Sequence, residues 1–288
     1  MELDSQHSAG YGTHEYVFVL AGVNMSKPKD VDQTKPNSPA KIVRRTGSSV
    51  DELSARSKFF ELFQQSPIPN DEMLGMLGLF INRQVWSRYL YLDELYKQIL
   101  PVHGVVMEFG VRWGQNLALF TNLRGMYEPF NHNRKIIGFD TFEGFPSIHE
   151  NDGNAPVAVP GAYSVTSGYE QYLEEVLDYH ESESPISHIR KFELVKGDSS
   201  VEISKYLGRN PETIVAFAYF DFDLYQPTKI CLEAIKDRLT KGSIVAFDEL
   251  NYHTWPGETL ALKEVFGLDR YAIRRTTHNP ETGYIVIE

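Results

Sequence analysis

"VVMEFGVRWGQNLALF", residues 105–120, reads as a strand, an acid, two glycines and the start of a helix. In open α/β sheets, ligands bind beyond the carboxyl ends of the strands, where such strand–loop–helix joints lie. Gly110 lets backbone approach a ligand, and Gly114 permits a tight entry into the helix. The spacing is E-x-G-x-x-x-G rather than the dinucleotide fingerprint G-x-G-x-x-G. An acid at Glu108 suits a cationic or hydroxyl-rich ligand better than a pyrophosphate. Taken alone, the same pattern also describes an ordinary glycine turn at a strand end.

Downstream, apolar runs alternate with amphipathic stretches. Strands are predicted at 105–109, 135–139, 192–196, 214–220, 243–247, 271–274 and 284–287, with helical stretches such as 226–239 between most of them. Alternation of this kind favours a parallel sheet with helices on both faces. The last two strands are joined by the turn-rich "THNPETG", so one edge strand should be antiparallel. Upstream, "DELSARSKFFELFQQ" (51–65) has helical periodicity, and helices are predicted at 71–81 and 84–99. Residues 1–15 are polar, 16–20 suit a short strand, and 24–41 hold three prolines among polar residues. The expected division is a flexible segment over 1–50 serving as a substrate lid, a helical extension over 51–100, and an α/β domain over 101–288.

Charge and cysteine content narrow the function. With 28 basic and 39 acidic side chains the formal charge is −11, which argues against a general nucleic-acid binder. The lone cysteine, Cys231, leaves no internal disulfide and no cysteine-based zinc cluster. No signal peptide or membrane span is read, so a cytoplasmic protein with no membrane partner is expected.

The acids at the strand ends carry the chemistry. Asp140 ends the second strand, where it suits a ribose hydroxyl or caps a turn. In "ELVKGDSS" Asp198 and Ser199 suit a helix cap, and Asp198 also suits an adenine. A ligand with an amine and a ribose across these three ends fits S-adenosylmethionine. In "AYFDFDLYQPT" (218–228) Asp221 and Asp223 follow the fourth strand, and Asp248 and Glu249 follow the fifth. In the sheet order 3-2-1-4-5, Asp221, Asp248 and Glu249 converge and repel unless a hard divalent cation such as Mg2+ sits among them. Asp223 lies close enough to take a proton from a hydroxyl held there. The alternative is a set of solvated loop acids paired with Lys229, Arg238 or Lys241.

Four segments, "MEFGVRWGQN", "GFDTFEGFP", "FDFDLYQPT" and "FDELNYHTWPGE", resemble in order the macrocin O-methyltransferase (TylF-type) family. The last is similar to the branch acting on nucleotide-linked deoxysugars, of the calicheamicin rhamnose methyltransferase type. The resemblance covers roughly residues 45–288. It implies a Rossmann-like class I methyltransferase fold: α/β, a mostly parallel seven-stranded sheet with one antiparallel edge strand, and an N-terminal helical extension. It implies magnesium ligands at Asp221, Asp248 and Glu249 and a general base at Asp223. On the residues alone, His253 after Glu249 is a second catalytic candidate that helps the base or touches substrate, or else a surface-loop histidine. Cofactor contacts are implied at Glu108, Gly110, Arg112, Gly114, Asn116, Asp140, Thr141, Phe142, Asp198, Ser199 and Asp221. Many members have Asp-Asp where this chain has Asp248-Glu249. The acceptor implied is a sugar hydroxyl, on a nucleotide-sugar or a glycoside, and family members commonly form homodimers or larger homo-oligomers.

Several readings stay open on the sequence. Trp255 stacks on a ligand or covers the core. Arg44 and Arg45 meet a diphosphate or are solvated. Phe59, Phe60, Leu62 and Phe63 belong to the core or to a subunit interface. A catechol-like or lipid-linked acceptor, or a non-catalytic cofactor-binding role, are the competing functions.

Overall fold

A computed structural model describes residues 49–279 and 282–288. The expected strand at 16–20, the lid and the pair Arg44 and Arg45 lie outside the described residues. The described chain opens with α1 (Val50–Gln64), started by a reciprocal Ser49–Glu52 capping box. The helix α2 (Asn70–Met73) runs into a 3-10 helix at Leu74–Leu79, and α3 (Arg83–Gln98) follows. Neither α1 nor the 3-10 helix has a buried residue. Phe80 holds α1 in place by ring contacts with Phe59 and Phe63.

The α/β part runs β1 (Val105–Phe109), α4 (Gln115–Tyr127), β2 (Ile136–Asp140), α5 (Tyr169–Ser182), β3 (Phe192–Lys196), α6 (Ser199–Arg209) and β4 (Val215–Phe220). It closes with α7 (Tyr225–Ile235), β5 (Leu239–Phe247), α8 (Gly257–Phe266) and β6 (Gly283–Val286). The sheet order is β3-β2-β1-β4-β5-β6, parallel except for β6, which runs antiparallel to β5.

Among the described residues the sheet has six strands rather than the seven expected. The segment 271–274 contributes a single bridge, Arg274 to Tyr284. Residues 272–274 are exposed, so no buried face holds a ladder there.

Strands β1 and β4 are buried along their whole length, as central parallel strands must be. Successive side chains alternate between two cores. Val106, Phe217 and Tyr219 meet α3, α4 and α5, while Met107, Phe109, Ala218 and Phe220 meet α6, α7 and α8. The α3 residues Tyr91, Leu92, Leu95 and Tyr96 are fully buried in the first core. This helix of the 51–100 block is therefore part of the sheet's own cover.

Candidate active site

A row of four phenylalanines sets the level of the site. Phe139, Phe109, Phe220 and Phe247 lie on neighbouring strands in register. Their rings stack at 5.0, 4.6 and 5.4 Å between centroids. Each is followed by the residue that meets the cleft: Asp140, Gly110, Asp221 and Asp248. The ladder continues through these residues. Gly110 N–H donates to Phe139 O (3.0 Å), Asp221 N–H to Phe109 O (2.8 Å) and Asp248 N–H to Phe220 O (2.9 Å). Fixed backbone above a stacked apolar floor thus presents the acids in one row. Gly110 is required there: at φ 95° its added Cβ would stand 2.1 Å from Asp221 O.

Over β1–β3 the acids are held by backbone donors. Asp140 accepts from Arg112 N–H (2.8 Å) and Phe142 N–H, tying the loops after β1 and β2 together. Burial raises the Asp140 carboxyl, and those donors oppose the shift. Asp198 caps α6 by accepting from Ser200 N–H at 2.9 Å, leaving Ser199 buried behind it. Thr141 closes its own turn, donating to Gly144 O. Glu108 lies beneath the loop, 1% exposed, with Oε1 accepting from Asn116 at 2.9 Å. Its Oε2 and Asn116 Oδ1 are buried without partners, and burial, then the charge of Asp221, holds its pKa well above the usual carboxylate range. An orphaned carboxylate oxygen beside an orphaned amide oxygen suits a cationic donor such as an ammonium.

Over β4 and β5 the acids face each other. One guanidinium, Arg88 of α3, donates to Asp221 and to both oxygens of Asp248, each at 3.1 Å. Tyr219 O–H adds a bond to Asp248 at 2.7 Å. Burial, then the charge of Asp248, pushes Asp221 up to about 7. Burial, the charge of Asp223 and a hydrogen bond to Asp223 push Glu249 up to about 11, and Glu249 Oε2 is buried without a donor. Asp223 adopts φ 62°, a left-handed conformation seldom taken by a side-chain-bearing residue and common at functional turns. Beneath them Glu258, 1% exposed in the first turn of α8, accepts from Phe222 N–H (3.1 Å) and Glu249 N–H (3.3 Å). It ties the two acid loops together. Burial, then the charge of Asp223, raises its pKa well above the usual carboxylate range, and the backbone donor at Glu249 opposes the shift.

A cavity of about 1500 Å³ runs over both halves. It is lined by Asp140, Asp198, Asp221, Asp223, Asp248 and Glu249, and Gly110, Arg112, Gly114, Asn116, Thr141, Ser199 and His253 line it too. Glu108 and Phe142 do not; Phe142 is buried in the core. His253 is exposed at the rim, 3.3 Å from Thr254 Oγ1. Trp255 is 5% exposed and packs edge-on against Phe145, so it covers a small core while touching the cavity. None of the three cations weighed as partners of these acids, Lys229, Arg238 and Lys241, pairs with them: Lys229 binds Glu264, Arg238 donates to Pro211 O, and Lys241 pairs with no acid among the described residues.

Among the described residues, no three His, Cys, Asp or Glu side chains are arranged to hold a metal ion. Arg88 supplies positive charge between Asp221 and Asp248 instead. Sequence reasoning missed Arg88 and Glu258. Arg88 heads the stripe 88, 91/92, 95/96, 99, whose other members are buried, and an arginine continuing such a stripe is a signal for a buried acid partner.

No family model matches the chain, and no curated protein matches it. Solved structures do. The chain is 46% identical to a calicheamicin methyltransferase, CalS11, over 84% of this chain and 94% of that one, with a TM-score of 0.81. An apo structure described as CalS11, a TDP-rhamnose 3'-O-methyltransferase of calicheamicin biosynthesis, is 43% identical over 84% and 96% of the two chains, with a TM-score of 0.74. The O-methyltransferase NovP, 18% identical over 70% and 79% with a TM-score of 0.52, shares the fold.

Proposed function

We propose, from the premise that this chain belongs to the sugar O-methyltransferase family of its 46% identical neighbour, that it transfers a methyl group from S-adenosylmethionine to one hydroxyl of a nucleotide-linked deoxysugar. The observation that carries this reading is the pairing of two unlike acid sets along one cavity. One is held by backbone donors and suits a cofactor. The other is crowded and suits the ionisation of a hydroxyl.

In this reading Asn116 accepts from the ammonium of the methyl donor, and Glu108 behind it orients the amide and supplies the acid. Asp140 and the backbone at Gly110 and Arg112 hold its ribose, and Asp198 and Ser199 border the adenine. Asp223 takes the proton from the acceptor hydroxyl. Glu258 and the left-handed turn fix its position, and the cavity holds the acceptor oxygen in line with the methyl group. His253 at the rim orients the acceptor.

The hard oxygen donors Asp221, Asp248 and Glu249 fit a magnesium ion in kind, and the undonated Glu249 Oε2 supports that assignment. They would hold it once Arg88 releases the two aspartates. Magnesium bound there supplies the positive charge that stabilises a developing alkoxide. The exposed apolar surface of α1 and the following 3-10 helix, with Phe60 58%, Leu62 57%, Leu74 79% and Leu79 66% exposed, suits the same surface of a second copy in a homodimer. Light scattering that returns a monomer would remove this part. Among the described residues no helix is long and apolar enough to cross a membrane.

The test is a panel of nucleotide-deoxysugars and catechols incubated with methyl-labelled S-adenosylmethionine and magnesium. One or more of the nucleotide-deoxysugars should gain label with equimolar S-adenosylhomocysteine released. Label entering catechols alone would overturn the sugar assignment, and no label anywhere would overturn the activity.

A further inference from the structure

The acceptor's carrier raises a charge problem that the cavity answers in one place. A nucleoside diphosphate brings negative charge into a cavity lined by six carboxyl side chains, in a chain of net charge −11. Like charges repel strongly where water is displaced. Arg56, Arg83, Arg88 and Arg112 also line the cavity. Arg88 is committed to Asp221 and Asp248. The Arg112 guanidinium lies over the Tyr163 ring at 4.9 Å, beside the cofactor loop. Arg56 and Arg83 are exposed and make no ion pair or side-chain hydrogen bond with any described residue.

We infer that Arg56 of α1 and Arg83 of α3 form the diphosphate subsite, with Trp86 the stacking surface for the nucleoside. The inference rests on the methyltransferase reading above and adds the residues that select a phosphorylated carrier. Arg83 precedes Arg88 by five helical residues, about 7.5 Å along the axis. That is the separation needed when a sugar ring lies between a hydroxyl at the acid cluster and a phosphate at the helix start. Arg83 and Trp86, three apart, share one side of α3, and Trp86 is 46% exposed in the cavity wall. Guanidinium groups match phosphate oxygens in paired hydrogen bonds, and an exposed indole offers a face to a base. Arg56 reaches the same cavity from α1, one turn before the Phe59–Phe80 contact that holds that helix.

The experiment is calorimetry of the full chain with thymidine diphosphate, inorganic pyrophosphate and S-adenosylhomocysteine, each without magnesium. All three are expected to bind the wild type. Arg56→Gln and Arg83→Gln should each weaken both phosphate ligands by about threefold, and the double variant by about tenfold, as for exposed charge pairs. Affinity for S-adenosylhomocysteine should hold in all of them, which also shows that they fold. Trp86→Ala should weaken thymidine diphosphate and leave pyrophosphate unchanged. A double variant that binds thymidine diphosphate as tightly as the wild type overturns the inference. So does a wild type that binds S-adenosylhomocysteine but neither phosphate ligand. A wild type that binds none of the three overturns the methyltransferase reading with it.

Discussion

The two halves of the cleft are built from the same residue type and differ in what holds it. Over β1–β3, Asp140 and Asp198 accept backbone N–H bonds, so their positions are fixed whether or not a ligand is present. Over β4 and β5, Asp221, Asp223, Asp248 and Glu249 are held by one another, by Tyr219 and by Arg88. The difference teaches that the first half is finished by folding, while the second keeps a surplus of buried negative charge that only a proton or a cation can relieve.

The largest effect should come from breaking the seam between the halves. Gly110→Ala places a Cβ against Asp221 O at a positive φ, so the loss should be about 3 kcal/mol or more, read as a lowered denaturation midpoint. A variant of unchanged stability would mean the strand ends are not clamped together.

Glu258 sharpens the comparison next. Because it accepts two backbone bonds, Glu258→Ala should cost about 1–3 kcal/mol for each donor it strands. Glu258→Gln mimics the protonated acid and should cost less than half as much. If the glutamine variant were as unstable as the alanine one, the group is ionised and the electrostatic account of that half is wrong.

Arg88 tests which half depends on added charge. Arg88→Gln leaves Asp221 and Asp248 without their guanidinium, so the metal-free protein should lose about 1–3 kcal/mol. Magnesium should then raise its melting temperature more than it raises that of the wild type, because nothing must be displaced. Affinity for S-adenosylhomocysteine, which the proposed function assigns to the other half, should change little.

The smallest effect is the pH response. Asp221 has a folded-state pKa of about 7, above its ordinary value near 3.8. A carboxyl raised in this way favours the fold while protonated. Its contribution is full below about 4 and is lost as pH rises through about 7. The metal-free protein should therefore melt higher at pH 6 than at pH 8, and magnesium should narrow the gap by binding better at pH 8. A melting temperature that rises from pH 6 to pH 8 without metal contradicts the assignment.

Much of this was legible in the sequence. The βα alternation gave a parallel sheet with helices on both faces, and the acids after each apolar run gave the row of candidates. The apolar run at 271–274 did not become a strand because nothing buries it. Asp198 rather than Ser199 is the cap of α6, a choice between neighbours that only backbone geometry makes. The phenylalanine before each cleft residue, in "EFG", "GFD", "YFD" and "AFD", was visible but unread; it is the common level of four in-register strands. Arg88 and Glu258 were hidden because their partners lie 133 and 36 residues away.

The central claim is that the two aspartates of "FDFD" do different work, and a magnesium titration of Asp221→Asn beside Asp223→Asn tests it most directly. Asp221→Asn should need more magnesium and recover part of its rate when it is supplied. Asp223→Asn should bind S-adenosylhomocysteine and magnesium as the wild type does, yet turn over about a hundredfold to ten-thousandfold more slowly at any magnesium concentration. Equal losses in both variants, rescued alike by magnesium, would contradict the account.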